Sequence, residues 1–339
     1  MADKKSKGPY WVGVDIGAAR IRAAVLGGAG ELAGVVKTST KAGRGTEATV
    51  ARIARVVRDA VDEADLSLSE VRGVGVGVPG AVDASSGMAL DVPVLGWGEV
   101  PLRKLLEDSL GLPVAVETDW NAALFAIHRV ELGGAPQHVL GVFIGSGIGG
   151  AMILNGQLFR GSNHAEGELG HMVLDVKGPR CACGQRGCFQ AVASRSALVA
   201  RLRAAIKEGQ TTVLTDWLGN DLENLKSRDL RKALRQEDAL VGAVVRDAAR
   251  HIGLAVGSLV NLLNPEVVVL GGGLMEALAE VMLKEITATA GRQAMPGAMK
   301  GVRIQASTLG DGAGMIGTAL LARERVQGTA ATGSGSSKN

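Results

Sequence analysis

Three cysteines, all that the 339 residues contain, fall inside one eight-residue window, Cys181-Ala182-Cys183-Gly184-Gln185-Arg186-Gly187-Cys188. So few thiols so close together make no disulfide framework; they suit metal ligation in a reducing compartment. Ten residues upstream, His171 offers a fourth ligand and completes a Cys3His set for tetrahedral zinc. Four protein ligands leave no open position, which is the pattern of a structural ion. The bland reading, three buried free thiols and a satisfied core histidine, sits poorly with the tight clustering among glycines.

Glycine-rich turns are the second feature that could do chemistry. Gly17 follows an apolar run, Gly145 to Gly150 follow another, and Gly271-Gly272-Gly273 a third. Exposed backbone N–H groups in such turns can hold phosphate oxygens, and a strand that runs through glycines into a helix presents the helix N-terminus to an anion. Asp15 ends the first apolar run and Asp119 precedes a helical one. Taken alone, each could serve only as a turn-forming or helix-capping carboxylate.

The elements that position these residues follow from periodicity. Trp11 to Ile16 reads as a buried strand, with further strands near Ile21 to Leu26 and Leu32 to Thr38. A helix is expected from Glu47 to Ala64, capped by Thr46. Then come a strand over Val74 to Val78, a short helix from Leu102 to Leu110 closed by Gly111, and a strand over Val114 to Glu117. From Leu140 the opening pattern returns: a shift of 128 positions matches Gly13 with Gly141, Ile16-Gly17 with Ile144-Gly145, Ala23 with Ala151 and Leu26 with Leu154. Such a repeat implies two related lobes, each contributing a glycine-rich hairpin to a shared cleft. The second hairpin turns at Asn155-Gly156, a favoured dipeptide. Helices are expected over Ser194 to Lys207, Asp238 to Leu263, Leu274 to Ala290 and Asp311 to Arg325, with strands at Glu266 to Leu270 and Val302 to Ala306.

Composition bounds the reading. Hydrophobic residues make up 46% and charged residues 21% of the chain, which is globular composition. The length favours two domains. A net charge of +3 with interspersed signs gives no basic stripe, so nucleic acid is not an expected partner. There is no leader-like segment and no apolar run of ~18 residues, so the expectation is a cytoplasmic protein without membrane partners.

The ordered motifs resemble those of the ROK family of bacterial repressors and sugar kinases. They are Asp15-Ile16-Gly17, Gly77-Val78-Pro79-Gly80-Ala81-Val82-Asp83, Gly96-Trp97, Glu117-Thr118-Asp119-Trp120-Asn121, Gly145-Ser146-Gly147-Ile148-Gly149-Gly150, Gly161 to His171 with the cysteine cluster, and Gly271 to Gly273. The resemblance covers about Tyr10 to Arg325. It implies an α/β, duplicated actin-like or hexokinase-like (ribonuclease H-like) two-lobe fold with an inter-lobe cleft and a structural zinc loop. The lobes would be 11–118 with 311–326, and 119–310, with disordered tails at 1–10 and 327–339. It implies ATP and Mg²⁺ as cofactors beside zinc, a small-molecule sugar as substrate and a homodimer. Asp119 falls on the family's catalytic base. Gly80, Thr118, Glu168, His171 and Gln190 fall on sugar-side positions. Asp15, Gly17, Ser146, Gly147, Gly149, Gly271, Gly272 and Gly273 fall on the nucleotide side, and His171, Cys181, Cys183 and Cys188 on zinc ligands.

The chain departs from the kinase pattern at defined places. Ala18 and Ala19 stand where Gly and Thr are usual, Thr118 where an Asn contacts sugar, Val94 or Leu95 near another Asn, and Gln190 where a Glu receives sugar hydroxyls. His164 replaces a small residue. A missing hydrogen bond from a buried polar site costs about 1–3 kcal/mol. Two functions are therefore expected to compete: a glucokinase-like phosphotransferase acting on a hexose or amino sugar, and a catalytically weak sugar-sensing member. A repressor is disfavoured, since only about ten polar residues precede the first strand and no helix-turn-helix fits there.

Overall fold

The computed structural model describes residues 8–28 and 30–333. They form two compact units. The first holds the described residues up to Gly133, Arg160–Glu166 and those from Gly312 onward; the second holds Gly134–Phe159 and Gly167–Asp311. The expected boundary at 118/119 therefore moves to 133/134, because the segment after Asp119 packs within the first unit.

In the first unit, β1 (Tyr10–Ile16), β2 (Arg20–Leu26) and β3 (Leu32–Ser39) form an antiparallel meander, and α1 (Thr46–Glu63) covers it. β4 (Val71–Val78) runs parallel to β1 and leads into the hairpin β5 (Ala81–Asp83) and β6 (Met88–Asp91). α2 (Leu102–Leu110), β7 (Val114–Thr118) and α3 (Asp119–Ala126) follow, the last extended by one π turn over Ile127–Glu131. The sheet order is β3-β2-β1-β4-β7. Successive residues are buried along both central strands, Trp11 to Val14 in β1 and Gly73 to Val78 in β4, as expected of strands covered on both faces. The covering is tight. A Cβ on Gly13 or on Gly75 would lie 1.8 Å from a carbonyl oxygen of the C-terminal helix Ala313–Gly333, that of Met315 or Thr318. α3 meets the same helix, where a Cβ on Gly317 would lie 1.7 Å from the Ala122 oxygen. That contact holds α3 in the first unit.

The second unit repeats the scheme. β8 (Val139–Ile144), β9 (Ile148–Leu154) and β10 (Gln157–Leu158) form a meander. Helices α4 (Phe189–Ala193), α5 (Arg195–Lys207), α6 (Leu214–Leu218), α7 (Ser227–Arg235) and α8 (Ala239–Leu263) then precede β11 (Val267–Gly271). α9 (Gly273–Gln293), α10 (Pro296–Met299) and β12 (Arg303–Ala306) complete it. Its order, β10-β9-β8-β11-β12, is that of the first sheet. The duplication expected from the 128-residue shift is thus present, with one difference: Ile16 pairs with Ile21, whereas Ile144 pairs with Ile148, so the second turn is one residue shorter. Asn155 and Gly156 both have positive φ, 53° and 74°, as a tight hairpin turn requires.

Two expectations are corrected. Thr46 does not cap α1; Gly45 (φ 88°) does, and its carbonyl accepts from both the N–H and the hydroxyl of Thr49. The tail expected to be irregular from residue 327 continues the C-terminal helix to Gly333, through Ala330 and Ala331, strong helix formers. Of the tail expected at 1–10, Tyr10 already belongs to β1; residues 1–7 and 334–339 lie outside the described residues. Among the described residues, no helix is long and apolar enough to cross a membrane.

Candidate functional site

In the second unit, His171, Cys181, Cys183 and Cys188 present one ligand atom each, all within 4.8 Å of one another. The Sγ atoms of Cys183 and Cys188 are 3.7 Å apart, and Sγ of Cys181 is 3.9 Å from Nδ1 of His171. A tetrahedron with ~2.3 Å metal–sulfur bonds has edges of about 3.8 Å. The donor set therefore fits zinc in type and spacing. Protonation points the same way. Burial and the neighbouring thiols push Cys188 up to about 12. At Cys181 burial raises the pKa, but hydrogen bonds from the Cys183 N–H, the Gln190 amide and the two thiols outweigh it and bring it down to about 6.

The loop that gathers them is shaped by backbone. Val173 bridges to Cys188 and Arg180 to Arg186, while the Cys181 N–H donates to Gln185 O at 2.8 Å. Gly187 has φ 70° and approaches Asp175 O so closely that a Cβ would lie 1.5 Å away. Only glycine fits there. His171 closes a one-turn 3-10 helix, Leu169–His171, and its Nε2 stands 3.7 Å from Oε2 of the exposed Glu168. One imidazole thus faces the sulfurs and a carboxylate, the arrangement that orients histidine ligands.

The Gly145 to Gly150 turn lies in the same unit. The Gly145 N–H donates to Gly147 O at 2.9 Å, and Arg195 N–H to Gly145 O at 2.9 Å; Ser146 is exposed. Gly150 N–H donates to Gly167 O, and Gly167 (φ 80°) passes Gly150 with room for no side chain. Gly149 lies within β9, paired with Phe143. Gln190 Nε2 donates to Cys181 Sγ at 3.4 Å, and Oε1 sits 3.5 Å from Ile148 N. At the same end of the sheet, where β11 runs parallel to β8 with Gly271 beside Phe143, Gly272 (φ 85°) passes against the Ile144 backbone and is the N-cap of α9, and nothing lies within 4 Å of where a Cβ on Gly273 would stand. Gly271 packs on the Phe143 ring.

In the first unit, Asp119 is the first residue of α3 and Thr118 its N-cap: Thr118 Oγ1 accepts from Asn121 N–H at 3.3 Å. Asp119 Oδ1 accepts from Trp120 N–H at 2.9 Å. Asp15 forms an ion pair with Arg22 at 2.6 Å. The Gly17 turn is braced by Thr40, whose buried hydroxyl donates to Gly17 O at 2.7 Å, with Ala18 and Ala19 exposed. Gly80 is explained by packing, since a Cβ would lie 2.3 Å from Asp91 O.

A polar network beside Asp119 has no counterpart in the sequence reading. Glu117, nearly fully buried, takes two hydrogen bonds from Arg160 at 2.8 and 2.9 Å and one from Asn121 Nδ2 at 3.1 Å. The same amide nitrogen donates to Glu166 Oε1 at 2.7 Å. The available signal was a buried strand ending in a glutamate, which demands a cation; its partner lies 43 residues away.

Comparison with known proteins gives a consistent result. The ROK family profile matches residues 11–325. The chain is 32% identical to the glucokinase of Halalkalibacterium halodurans over 320 residues, 93% of this chain and 96% of that one. It is 25% identical to the xylose repressor of Caldicellulosiruptor bescii, covering 90% of this chain and 76% of the repressor. A crystal structure of a ROK family glucokinase from Streptomyces griseus, in complex with glucose and AMPPNP, superposes with a TM-score of 0.80 at 31% identity, covering 93% of this chain and 99% of that one.

Proposed function

The chain belongs to the ROK family, and from that premise we propose that it is an ATP-dependent sugar kinase that transfers the γ-phosphoryl group of ATP to a hexose or amino-sugar hydroxyl. One observation carries the reading. Capping of α3 falls to Thr118, so the helix does not need the Asp119 carboxylate as its cap, which supports giving that carboxylate the base's role. The similarity to glucokinases, one with glucose and AMPPNP bound, supports the same reaction.

In this reading Asp119 takes the proton of the sugar hydroxyl as its oxygen attacks the γ-phosphorus and the bond to the ADP oxygen breaks. Such transfer depends on positioning and charge stabilisation more than on covalent chemistry. Gly80, Thr118, Glu168 and His171 are assigned to the sugar. The turns at Gly17 and at Ser146, Gly147 and Gly149 are assigned to phosphates, Gly271 to Gly273 to the adenosine side, and Asp15 to the Mg²⁺–phosphate group. Zinc on His171, Cys181, Cys183 and Cys188 would supply rigidity to the loop that bears Glu168.

A second reading, a sugar sensor without turnover, is favoured by specific observations: Asp15 is engaged by Arg22, Ala18 and Ala19 carry no hydroxyl, and Gln190 bonds to Cys181. One assay separates the two. Purified protein with Mg-ATP and a panel of hexoses and N-acetylhexosamines is followed by coupled ADP release, beside Asp119→Asn. The kinase reading expects turnover on at least one sugar and a loss of roughly 10²–10⁴-fold in the variant. Equal background rates on every sugar would sink it, and calorimetric sugar binding without turnover would establish the sensor.

A further inference from the structure

Gln190, expected on the sugar side, also reaches the cysteine cluster and the Gly145 to Gly150 turn in the folded chain. We propose that Gln190 is a positioning residue of the metal centre, whose amide N–H holds the Cys181 sulfur while its carbonyl oxygen seats the Gly145 to Gly150 turn. The inference rests on the cluster being a metal site and is independent of whether the protein is a kinase.

The geometry is that of a strut. Gln190 is the second residue of α4, and Cys188 is that helix's N-cap, so ligand and glutamine are fixed to one another by two residues of backbone. From there Nε2 reaches Cys181 Sγ at 3.4 Å. Oε1 lies 3.5 Å from Ile148 N and between two glycines, since Cβ atoms on Gly147 and Gly170 would each come within 3.0 Å of it. Two glycines in the elements bearing the turn and His171 thus leave the space that the amide oxygen fills. The Arg195 N–H bond to Gly145 O fastens the α4–α5 junction to the same turn.

Charge explains why an amide serves at this place. Three thiolates and a neutral histidine around Zn²⁺ leave a net charge of −1, and an N–H donor to one sulfur spreads that charge without adding to it. A carboxylate at 190, the residue usual in the kinase pattern, offers no such donor to Cys181.

The test compares the full-length protein with Gln190→Glu and Gln190→Ala, with Arg231→Ala, an exposed residue of α7, as control. Zinc content is measured by elemental analysis, zinc transfer to a chromophoric chelator is timed, and the thiolate-to-cobalt absorption band is recorded after Co²⁺ substitution. Sugar and nucleotide are absent throughout. Gln190→Ala is expected to release zinc about tenfold faster or more, and Gln190→Glu, which loses only the donor, less so, with a shifted cobalt band in both and the control unchanged; outer-shell partners of metal ligands carry about 10–100-fold in affinity. Amide exchange at residues 145–150 is expected to quicken in Gln190→Ala. Should Gln190→Glu fail to fold, Gln190→Ala decides alone. Zinc release and cobalt spectra equal to wild type would overturn the proposal, as would a wild-type protein that holds no metal.

Discussion

At the scale of single residues, the junction of β7 and α3 divides two tasks between neighbours. Thr118 closes the first turn of α3 with its hydroxyl, and Asp119 follows as the first helical residue. Removing the cap in Thr118→Ala is expected to cost about 1 kcal/mol in stability by denaturant titration. If Asp119 is the base, the same change lowers kcat by a larger factor than the roughly fivefold that 1 kcal/mol represents, because the uncapped Asn121 N–H invites the neighbouring carboxylate to turn toward it. A fall in stability with unchanged turnover would show that the Thr118 cap does not hold Asp119 in place. The ligands, turns and acid were legible as residue types because their chemistry is local: thiolates cluster, glycines punctuate, a carboxylate precedes a helix. The Arg160, Glu117, Asn121 and Glu166 network was not, since its members meet only through the path of the folded chain.

Among the elements, those readable from sequence had strong period or sharp ends. Helix α5 starts at Ser194, whose hydroxyl accepts from Ala197 N–H, and α8 starts at Asp238, as their side-chain types announce. The hairpin β5–β6 and helix α6 were missed because three to five residues hold too little periodicity to stand out; α7, as long as α2, carries only two buried apolar positions, Leu230 and Ala233, among its charges. Asp238 makes a testable case. Its Oδ1 accepts from Val241 N–H at 2.9 Å, and Oδ2 from the Thr212 hydroxyl at 2.7 Å and Val213 N–H at 2.9 Å. Burial alone raises its pKa, yet these bonds outweigh burial and hold it below the usual aspartate range. A carboxyl depressed in the folded state stabilises above the unfolded pKa of ~3.9 and loses that contribution as pH falls through the folded value. Asp238→Asn is therefore expected to be less stable than wild type at pH 7 and to narrow the gap below pH ~4, measured by urea midpoints across pH. Gly75→Ala tests the crossing of the C-terminal helix. The clash with Thr318 O is against backbone, so the sheet or helix must shift, at a cost of roughly 1–3 kcal/mol.

On the scale of the whole molecule, the duplication was legible in advance because the 128-residue shift lays β1 on β8, although the shorter second turn sets β9 one residue out of that register against β2, and the two sheets share one strand order. The boundary was not, because α3 is sorted by its contact with a helix nearly 200 residues later. Each unit has its own core: Val12 through Val116 in the first, Leu140 through Ala294 in the second. The cysteine cluster belongs wholly to the second. Metal bound only to the folded state stabilises by RT ln(1 + [L]/Kd), about 4 kcal/mol at a free concentration ~1,000 times Kd. Removing zinc with a chelator should therefore act on one unit. The expected result in calorimetry is a transition of the second unit lowered by roughly 8–16 °C, from about 2–4 °C per kcal/mol for a unit of this size. Hydrogen exchange would report faster exchange at residues 172–188 and along α4, with β1 and β4 unchanged. Equal acceleration in β1 and β4 would mean that the metal stabilises both units alike, and an unaltered exchange pattern would mean that the four ligands hold no ion that matters to the fold.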